Sequence, residues 1–172
     1  MIIRSERSED FASIRQVNML AFDNRDSEAD LVDAIRLSQG FVPGLSLVAE
    51  MDGQVVGHIL FSKIDVTMDQ KKTSVLALAP MAVTPQFQNQ GIGTKLITEG
   101  LNRCRMSEYK IIIVIGHPGF YPKFGFLPAR SNGLECHQYP VPDDVFMVLE
   151  LEKDALKGVS GVVEYPETFN GV

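Results

Sequence analysis

A short glycine-containing segment near the middle of the chain has the composition of a phosphate-binding loop. It reads Gln88-Asn89-Gln90-Gly91-Ile92-Gly93-Thr94 and lies between a strand-like run and a helical pattern. Glycine lets a ligand approach the backbone, and the first turn of a helix offers unpaired N–H donors at the positive end of its dipole. The segment could therefore hold a pyrophosphate, although a plain glycine-rich helix start is the alternative interpretation.

The residue types and spacing of this segment exclude two familiar nucleotide-binding loops. A Walker A loop has glycine five residues before a Gly-Lys-Ser/Thr ending, whereas this chain has Gln88 there and ends Gly93-Thr94-Lys95. A dinucleotide-binding fingerprint requires a small residue at position 96, which is Leu96. Neither loop therefore describes the segment.

The elements before the loop form a predicted antiparallel meander. Strand-like runs cover residues 46–50, 54–62 and 74–83. Asp52-Gly53 between the first two runs is a strong hairpin signal, because both residues tolerate positive φ. Thr84-Pro85 ends the third strand, since proline cannot donate to the ladder.

Two helices are predicted near the N-terminus, after a short strand at residues 1–4. The first covers residues 9–20 with Ser8 as its cap, and the second covers residues 29–37. Their core-facing residues are predicted to be Phe11, Ile14, Val17, Leu20 or Ala21 in the first helix, and Leu31, Ile35 and Leu37 in the second.

The pattern after the loop changes to alternating helices and strands. A helix is predicted from Gly91 to Met106, followed by the continuous β-branched run 111–115, which is typical of a strand buried on both faces. A short helix at residues 121–124 ends at Gly125, and a further strand covers residues 145–151. This order predicts a mixed α/β domain with a parallel strand pair around the Gly91 helix.

Composition limits the function classes. The 172 residues are 45% hydrophobic and 22% charged, with a net charge of −6 and no basic stripe of the kind that binds nucleic acid. No apolar run approaches the about 20 residues of a membrane span, and the N-terminus does not resemble a secretion signal. Cys104 and Cys136 are too few for a disulfide framework or a metal site, so we expect a cytoplasmic protein without metal.

The loop and the strand before it resemble the coenzyme-A-binding motif of the GNAT N-acetyltransferase superfamily. The resemblance rests on Gln88-x-x-Gly91-x-Gly93 after the strand Ala79-Pro80-Met81-Ala82-Val83. It implies a single-domain acyl-CoA N-acyltransferase (GNAT) fold, with a mixed, mostly antiparallel sheet, a splayed parallel strand pair and flanking helices. It also implies that Met81, Ala82 and Val83 face the pantetheine arm, while Gln88, Asn89, Gln90, Gly91, Ile92, Gly93 and Thr94 hold the phosphates. Gln88 stands where many members have arginine.

A second segment, Tyr121-Pro122-Lys123-Phe124-Gly125-Phe126, is similar to the Tyr-x-Lys-x-Gly-Phe motif of the same superfamily. The resemblance implies that Tyr121 lies by the coenzyme sulfur and protonates the departing thiolate. A phenol has a pKa of about 10, so it can donate a proton at neutral pH. The alternative is that Tyr121 only packs against and hydrogen-bonds the cofactor. The asparagine that often precedes this tyrosine by seven residues is replaced by Val114.

The resemblance also implies direct transfer, with the Val83 N–H as the oxyanion donor and a base that deprotonates the amine. Three residues are candidates for that base, each with a structural alternative. Glu28 could instead be a carboxylate at a helix N-terminus, Glu50 a solvated residue at the sheet edge, and His117 a loop residue before Pro118. A water chain is the further alternative, and Phe22, Phe41 and Phe120 could line the acceptor or belong to the core.

The tail from Leu149 through Gly158-Val159-Ser160-Gly161 to Tyr165-Pro166 resembles a bacterial subfamily of predicted, poorly characterised acetyltransferases. We expect an acetyltransferase domain at residues 1–151 and a C-terminal extension, 152–172, packed on the same domain. The implied activity is acetyl transfer from acetyl-CoA to a primary amine of a small molecule or a polypeptide. A non-catalytic acyl-CoA-binding module and another short acyl-CoA donor are the alternatives. A homodimer through the C-terminal strands and a tail folded over the acceptor cleft both fit the resemblance.

Overall fold

The predicted alternation of strands and helices is present in the computed structural model, which describes residues 1–172. It contains three α-helices, α1 Phe11–Ala21, α2 Ser27–Arg36 and α3 Ile92–Arg105. Its nine strands are β1 Ile2–Ser5, β2 Phe41–Met51, β3 Gln54–Met68, β4 Lys71–Val83, β5 Ile111–Ile115, β6 Leu127–Pro128, β7 Leu134–Glu135, β8 Phe146–Glu150 and β9 Gly161–Glu164.

The strands form one mixed sheet with the order β1-β2-β3-β4-β5-β8-β6, to which β9 adds by pairing with β3 and β7. The pairs β1–β2, β2–β3, β3–β9, β5–β8 and β6–β8 are antiparallel. The pairs β4–β5 and β7–β9 are parallel. The sequence-based prediction of a mixed, mostly antiparallel sheet with a parallel pair on either side of α3 is therefore confirmed.

One compact unit consists of Met1–Ser62, Ala79–Arg103 and Thr168–Val172. Within it, α3 packs closely on β3 because two glycines remove side chains from the contact. A Cβ at Gly57 would lie 2.9 Å from Cδ1 of Leu96, and a Cβ at Gly100 would lie 2.5 Å from Cε2 of Phe61. The middle of α3 is thus held against the sheet by packing that tolerates almost no extra volume.

The second compact unit consists of Lys63–Leu78 and Cys104–Glu167. Its central strand is β5, whose residues Ile111–Val114 are buried, as expected of a strand covered on both faces. Asp65, Val66 and Thr67 of β3 pair with Glu164, Val163 and Val162 of β9, so the last strand extends the sheet of this unit.

Three local predictions for the N-terminal helices are wrong. Ser8 is not a helix cap, because Ser8–Asp10 is a 3₁₀ turn in which the Arg7 N–H donates to Asp10 at 2.8 Å. Phe11 is 37% exposed and lies under the guanidinium of Arg36, 3.8 Å from its ring centroid. Leu37 is 90% exposed, because α2 ends at Arg36. The hairpin at Asp52-Gly53 is confirmed, with φ of 51° and 77°.

Candidate active site

The predicted phosphate loop lies between β4 and α3 in the first unit. A 3₁₀ turn at Pro85–Phe87 follows β4, and α3 begins at Ile92. Asn89 and Gly91 both have left-handed backbone conformations, with φ of 60° and 80°. These two residues curl the backbone, and an alternation of this kind turns successive N–H groups toward one concave surface.

The backbone N–H groups of residues 89–94 donate no hydrogen bond within the chain, and the first bond of the helix runs from the N–H of Lys95 to the Gly91 carbonyl at 3.1 Å. Asn89, Gln90, Gly91 and Thr94 are exposed, so these donors are open to a ligand. A run of free N–H groups at the positive end of a 14-residue helix fits a pyrophosphate without any cationic side chain.

The two glutamine side chains of the loop are bonded to backbone rather than free. Nε2 of Gln88 donates to the carbonyl of Val83 at 2.9 Å, and Nε2 of Gln90 donates to the carbonyl of Gln86 at 3.1 Å. Gln88 therefore ties the loop back to the last residue of β4. Its role in this structure is to hold the loop shape, while the N–H groups remain available for an anion.

The strand before the loop has one side free of pairing. β4 pairs with β5 only at Leu76 and Ala77, and β4 continues to Val83 without further pairing to β5. Pro80 carries no N–H, so it cannot donate from this stretch. Met81 and Val83 are half-buried and Ala82 is buried. The free side of Leu78–Val83 can bond an extended ligand such as a pantetheine arm.

Tyr121 begins a 3₁₀ turn, Tyr121–Phe124, in the second unit. It is 7% exposed, and its ring meets those of Phe120 and Phe126 edge to face at centroid distances of 5.2 and 5.6 Å. Burial raises the pKa of Tyr121 to about 12, so its hydroxyl stays protonated at neutral pH. The hydroxyl makes no hydrogen bond to the chain, which leaves this donor available.

Glu28 lies in the first turn of α2, where it accepts a hydrogen bond from Oγ of Ser27 at 2.6 Å. Its second oxygen lies 3.6 Å from Nη2 of Arg25, and its side chain is 13% exposed. The helix N-terminal position that the sequence suggested is therefore present, and the Glu28 side chain is mostly covered rather than fully solvated.

The other two candidate bases are placed differently. Glu50 forms an ion pair with Arg4 at 2.8 Å on β2, which is paired on both sides, so the expectation of a solvated residue at the sheet edge is wrong. His117 is exposed, and its carbonyl accepts N–H bonds from Phe120 and Tyr121 at 3.1 and 3.4 Å. The backbone of His117 thus anchors the turn that carries Tyr121.

Gly116 contributes to the placement of Tyr121, a role that the sequence analysis did not predict. A Cβ on Gly116 would overlap the ring of Tyr121, so the absence of a side chain there makes room for the phenol. The segment Gly116-His117-Pro118-Gly119 is rich in loop-forming residues, but sequence alone does not say which glycine touches Tyr121. Phe22, Phe41 and Phe120 are all half-buried, and neither the acceptor wall nor the core is favoured by their exposure.

Neither cysteine belongs to a reactive site. Cys104 and Cys136 are buried free thiols, and burial raises the pKa of Cys104 to about 12. No group of His, Cys, Asp and Glu side chains is arranged to hold a metal ion. None of the helices combines the length and apolar character that crossing a bilayer requires.

Comparison with known families identifies the family of the chain. The model of the acetyltransferase (GNAT) family matches residues 11–126, a range that contains β4, the loop, α3 and Tyr121. The chain belongs to the acetyltransferase (GNAT) family. This GNAT acetyltransferase therefore carries its free N–H groups and its buried phenol inside the matched region.

Two relatives from Escherichia coli K12 are similar to this chain over most of their length. The uncharacterized N-acetyltransferase YhbS is 37% identical over 171 residues, which cover 99% of each chain. The uncharacterized N-acetyltransferase YjhQ is 35% identical over 135 residues, 78% of this chain and 74% of the relative. The chain is thus similar to a group of bacterial acetyltransferases that are little characterised.

Two solved structures are similar over 98% of this chain. The YhbS structure from E. coli, a complex with CoA, has a TM-score of 0.89 and 35% identity, with 91% of that chain covered. A GNAT family acetyltransferase from Brucella melitensis, in complex with acetyl-CoA, has a TM-score of 0.79 and 34% identity, with 97% of that chain covered. These structures confirm the GNAT fold.

Proposed function

We propose that this protein transfers the acetyl group of acetyl-CoA to a primary amine of a small molecule or a polypeptide. The observation that carries the proposal is the run of unpartnered N–H groups at residues 89–94, directly after a strand whose outer side is unpaired. The complexes of the two similar structures with CoA and acetyl-CoA support it.

The coenzyme is held by backbone groups in this proposal. The N–H groups of residues 89–94 bind the pyrophosphate, and Gln88 keeps the loop in its binding shape through its bond to Val83. The free side of β4 at Met81, Ala82 and Val83 bonds the pantetheine arm. The coenzyme supplies an acyl thioester, and the chain orients it against the incoming amine.

The proposed chemistry is direct attack of a neutral amine on the thioester carbonyl. We assign the developing oxyanion to the backbone N–H of Val83, a type of donor worth on the order of 3 kcal/mol in oxyanion holes. We assign the proton of the leaving thiolate to the hydroxyl of Tyr121, which burial keeps protonated. Each residue then acts on one atom of the reacting thioester.

We propose Glu28 as the base that deprotonates the amine, directly or through water. Its side chain lies at the start of α2 and is 13% exposed, and its two oxygens contact Ser27 and Arg25. The acidic net charge of −6 favours approach of a cationic amine. We place the reaction in the cytosol, where the two free thiols stay reduced, and infer that residues 152–172 pack on the acetyltransferase domain.

The test is an acetyl-transfer assay with purified protein, acetyl-CoA and a panel of amines that includes polyamines, amino sugars and peptides with free α-amines or lysines. Thiol release is followed optically, and the acetylated acceptor is identified by mass spectrometry. Acceptor-dependent release that falls in a Glu28→Gln variant supports the proposal. Coenzyme binding without acetylation of any amine class would contradict it and favour a binding module.

A further inference from the structure

A cavity of about 580 Å³ opens in the first unit beside the turn that leads into the phosphate loop. Its walls come from α1, from the β2–β3 hairpin and from the turn at residues 84–87. This volume lies within the usual range for small-molecule sites. The role proposed above for β4, the loop and Tyr121 does not use this cavity.

Two charged residues of the cavity wall are already fully engaged. Arg4 donates to both oxygens of Asp10 at 2.7 and 2.9 Å, and it also donates to Glu50 at 2.9 Å. Asp10 accepts the N–H of Arg7 as well, at 2.8 Å. These groups build the wall and have little capacity left for a ligand.

Arg7 is the wall residue whose cation is least engaged. Its guanidinium makes no side-chain hydrogen bond to the chain, and its nearest carboxylate oxygen is that of Glu9 at 3.9 Å, with both side chains more than 60% exposed. An exposed ion pair at this distance contributes little. The planar guanidinium can therefore take a carboxylate through two parallel hydrogen bonds.

Neutral polar groups surround this cation. Ser13 and Gln16 on α1 and Gln54 after the hairpin line the cavity, and their side chains make no hydrogen bond to the chain. Val17 and Val56 supply a buried apolar floor. A ligand that fits would have hydroxyl or amide groups on a small apolar body.

The charges of the cavity wall favour a ligand with one negative charge over a ligand with two. The cavity is lined by the cations Arg4 and Arg7 and by the anions Glu9 and Asp10, so the wall carries no net charge. A dianionic phosphate would face two carboxylates with only one free cation to balance it. A monocarboxylate needs one cation, which Arg7 supplies, because Arg4 already balances Asp10 and the carboxylate of Glu9 lies 3.9 Å from Arg7 with its side chain 67% exposed.

The same cavity touches the element that shapes the phosphate loop. Gln86 lines the cavity, and its carbonyl accepts the hydrogen bond from Gln90 of the loop at 3.1 Å. Thr84 fixes the turn from the other end, since its N–H and its hydroxyl both donate to the Val56 carbonyl, at 2.9 and 3.0 Å. A ligand against this turn acts on the backbone that presents the free N–H groups.

We propose that this cavity is an effector site for a small monocarboxylate bearing hydroxyl or amide groups, held by Arg7 and coupled through the 84–87 turn to the coenzyme loop. The coupling to the coenzyme loop rests on the proposed function, because it requires that the loop binds coenzyme. Coupling of this kind is reciprocal, so the coenzyme changes the affinity of the carboxylate by the same factor.

The test places a thiol in the cavity with a Ser13→Cys variant of the full chain. Both native cysteines are buried, so the introduced thiol is the accessible one. The probes are three symmetrical disulfides that end in a carboxylate, a hydroxyl or an ammonium group. The introduced thiolate attacks one sulfur of the probe, forms a mixed disulfide and releases one equivalent of the probe thiol. Mass spectrometry measures the captured fraction.

We expect the Ser13→Cys variant to capture at least about five-fold more of the carboxylate probe than of the hydroxyl probe. This ratio is normalised to the ratio that a free peptide thiol gives with the same two probes. The preference should disappear when Arg7→Gln is added, and an Ala12→Cys variant, on the exposed side of the same helix, should show none. Equal capture of the three probes, or a preference that survives Arg7→Gln, would overturn the site.

The coupling is measured on the captured protein by calorimetric titration with CoA, with the unmodified Ser13→Cys variant as baseline. The affinity for CoA should change by about five-fold or more, in the range usual for coupled sites. Unchanged CoA affinity with lost acetyl transfer would overturn the coupling and identify the cavity as part of the acceptor site. Failure of the wild-type protein to bind CoA would instead contradict the proposed function. The capture preference would still test the carboxylate site independently.

Discussion

The ring of Tyr121 lies directly over the backbone of Gly116, so closely that a Cβ at that position would overlap Cε2 of the phenol. The contact joins the end of β5 to the turn Tyr121–Phe124. Phe120 and Phe126 meet the ring edge to face and complete its surroundings. The position of the phenol is thus determined by three neighbours, one of which acts through having no side chain.

Gly116→Ala should displace the ring of Tyr121 and lower kcat by about 10²-fold, the usual result of moving a catalytic group by about 1 Å. Coenzyme affinity should change little, because the phosphate loop is separate in sequence. Steady-state kinetics and calorimetry measure the two effects. Gly119→Ala is the matched control, because a Cβ there meets no atom within 4 Å. Equal losses in both variants would show that the loop is generally intolerant and that the contact is not special.

Tyr121→Phe should retain the aromatic packing while removing the proton donor. We expect kcat to fall by about 10²-fold or more, as general acid catalysis contributes 10²–10⁴-fold, with the Kd for acetyl-CoA unchanged. Presteady-state thiol release monitors the transfer step directly. Tyr109→Phe, at a half-buried tyrosine outside the motif of Tyr121, serves as the control. A Tyr121→Phe enzyme with full activity would remove the acid role and leave Tyr121 as a packing residue.

A buried polar chain in the first unit links α1 to the sheet. Nδ2 of Asn18 lies 3.2 Å from Nδ1 of His58, and Nε2 of His58 lies 2.9 Å from Oγ of Ser46. Ser46 in turn donates to Glu6 at 2.7 Å. Since the amide of Asn18 can only donate through Nδ2, Nδ1 accepts and Nε2 carries the proton of a neutral imidazole.

Burial lowers the pKa of His58 to about 4, whereas the unfolded chain has a histidine pKa of about 6.5. The unfolded state therefore binds more protons between these values, and the free energy of unfolding falls as the pH drops from about 6.5 to 4. The shift corresponds to about 3 kcal/mol, fully present above pH 6.5. Urea unfolding at several pH values tests this.

His58→Gln should flatten the pH dependence of stability in that window, because the variant lacks the buried imidazole. His137→Gln removes an exposed histidine and should leave the dependence as in the wild type. The difference between the two variants isolates His58 from carboxylates that titrate below pH 5. If His58→Gln kept the wild-type slope, the buried imidazole would not be its source.

Gly161 joins the tail to the sheet at a position that only glycine suits. Its φ is 129°, and a Cβ there would overlap the carbonyl of Thr67. Gly161→Ala should lower the free energy of unfolding by about 2 kcal/mol, through backbone strain and loss of the β9 pairing. Gly158→Ala, with φ of 77° and no atom near the added Cβ, should cost about 1 kcal/mol. Equal effects in urea unfolding would show that the tail contact adds nothing.

Several parts of the fold follow from short-range chemistry and were predictable. The Asp52-Gly53 turn needs two positive φ values, and the run 111–115 has no polar side to expose, so both elements could be read directly. The loop before α3 was also predictable, because its glycines and the helix start lie within seven residues. Its six free N–H groups follow from this local geometry.

Features that depend on distant residues could not be read from the sequence. Phe11 has the spacing of a core residue, yet the guanidinium of Arg36 from α2 covers it at 3.8 Å. Glu50 at the end of a predicted strand looks exposed, yet Arg4 from β1 binds it. The same holds for the contact of Gly116 with Tyr121 and for the burial of His58. Both depend on partners that meet only in the folded chain, and no spacing rule in the sequence identifies those partners.

The most direct test of the account is calorimetric titration of the purified protein with acetyl-CoA, CoA and adenosine diphosphate. We expect micromolar binding of both coenzymes and little binding of the nucleotide, since we propose that the pantetheine arm bonds the free side of β4. Gly91→Val should weaken both coenzymes by at least about ten-fold, since its φ of 80° shapes the loop, whereas Gly44→Val, with φ of 88° in β2, should not. Absence of coenzyme binding by the wild-type protein would contradict the central claim, and the loop would be an ordinary helix start.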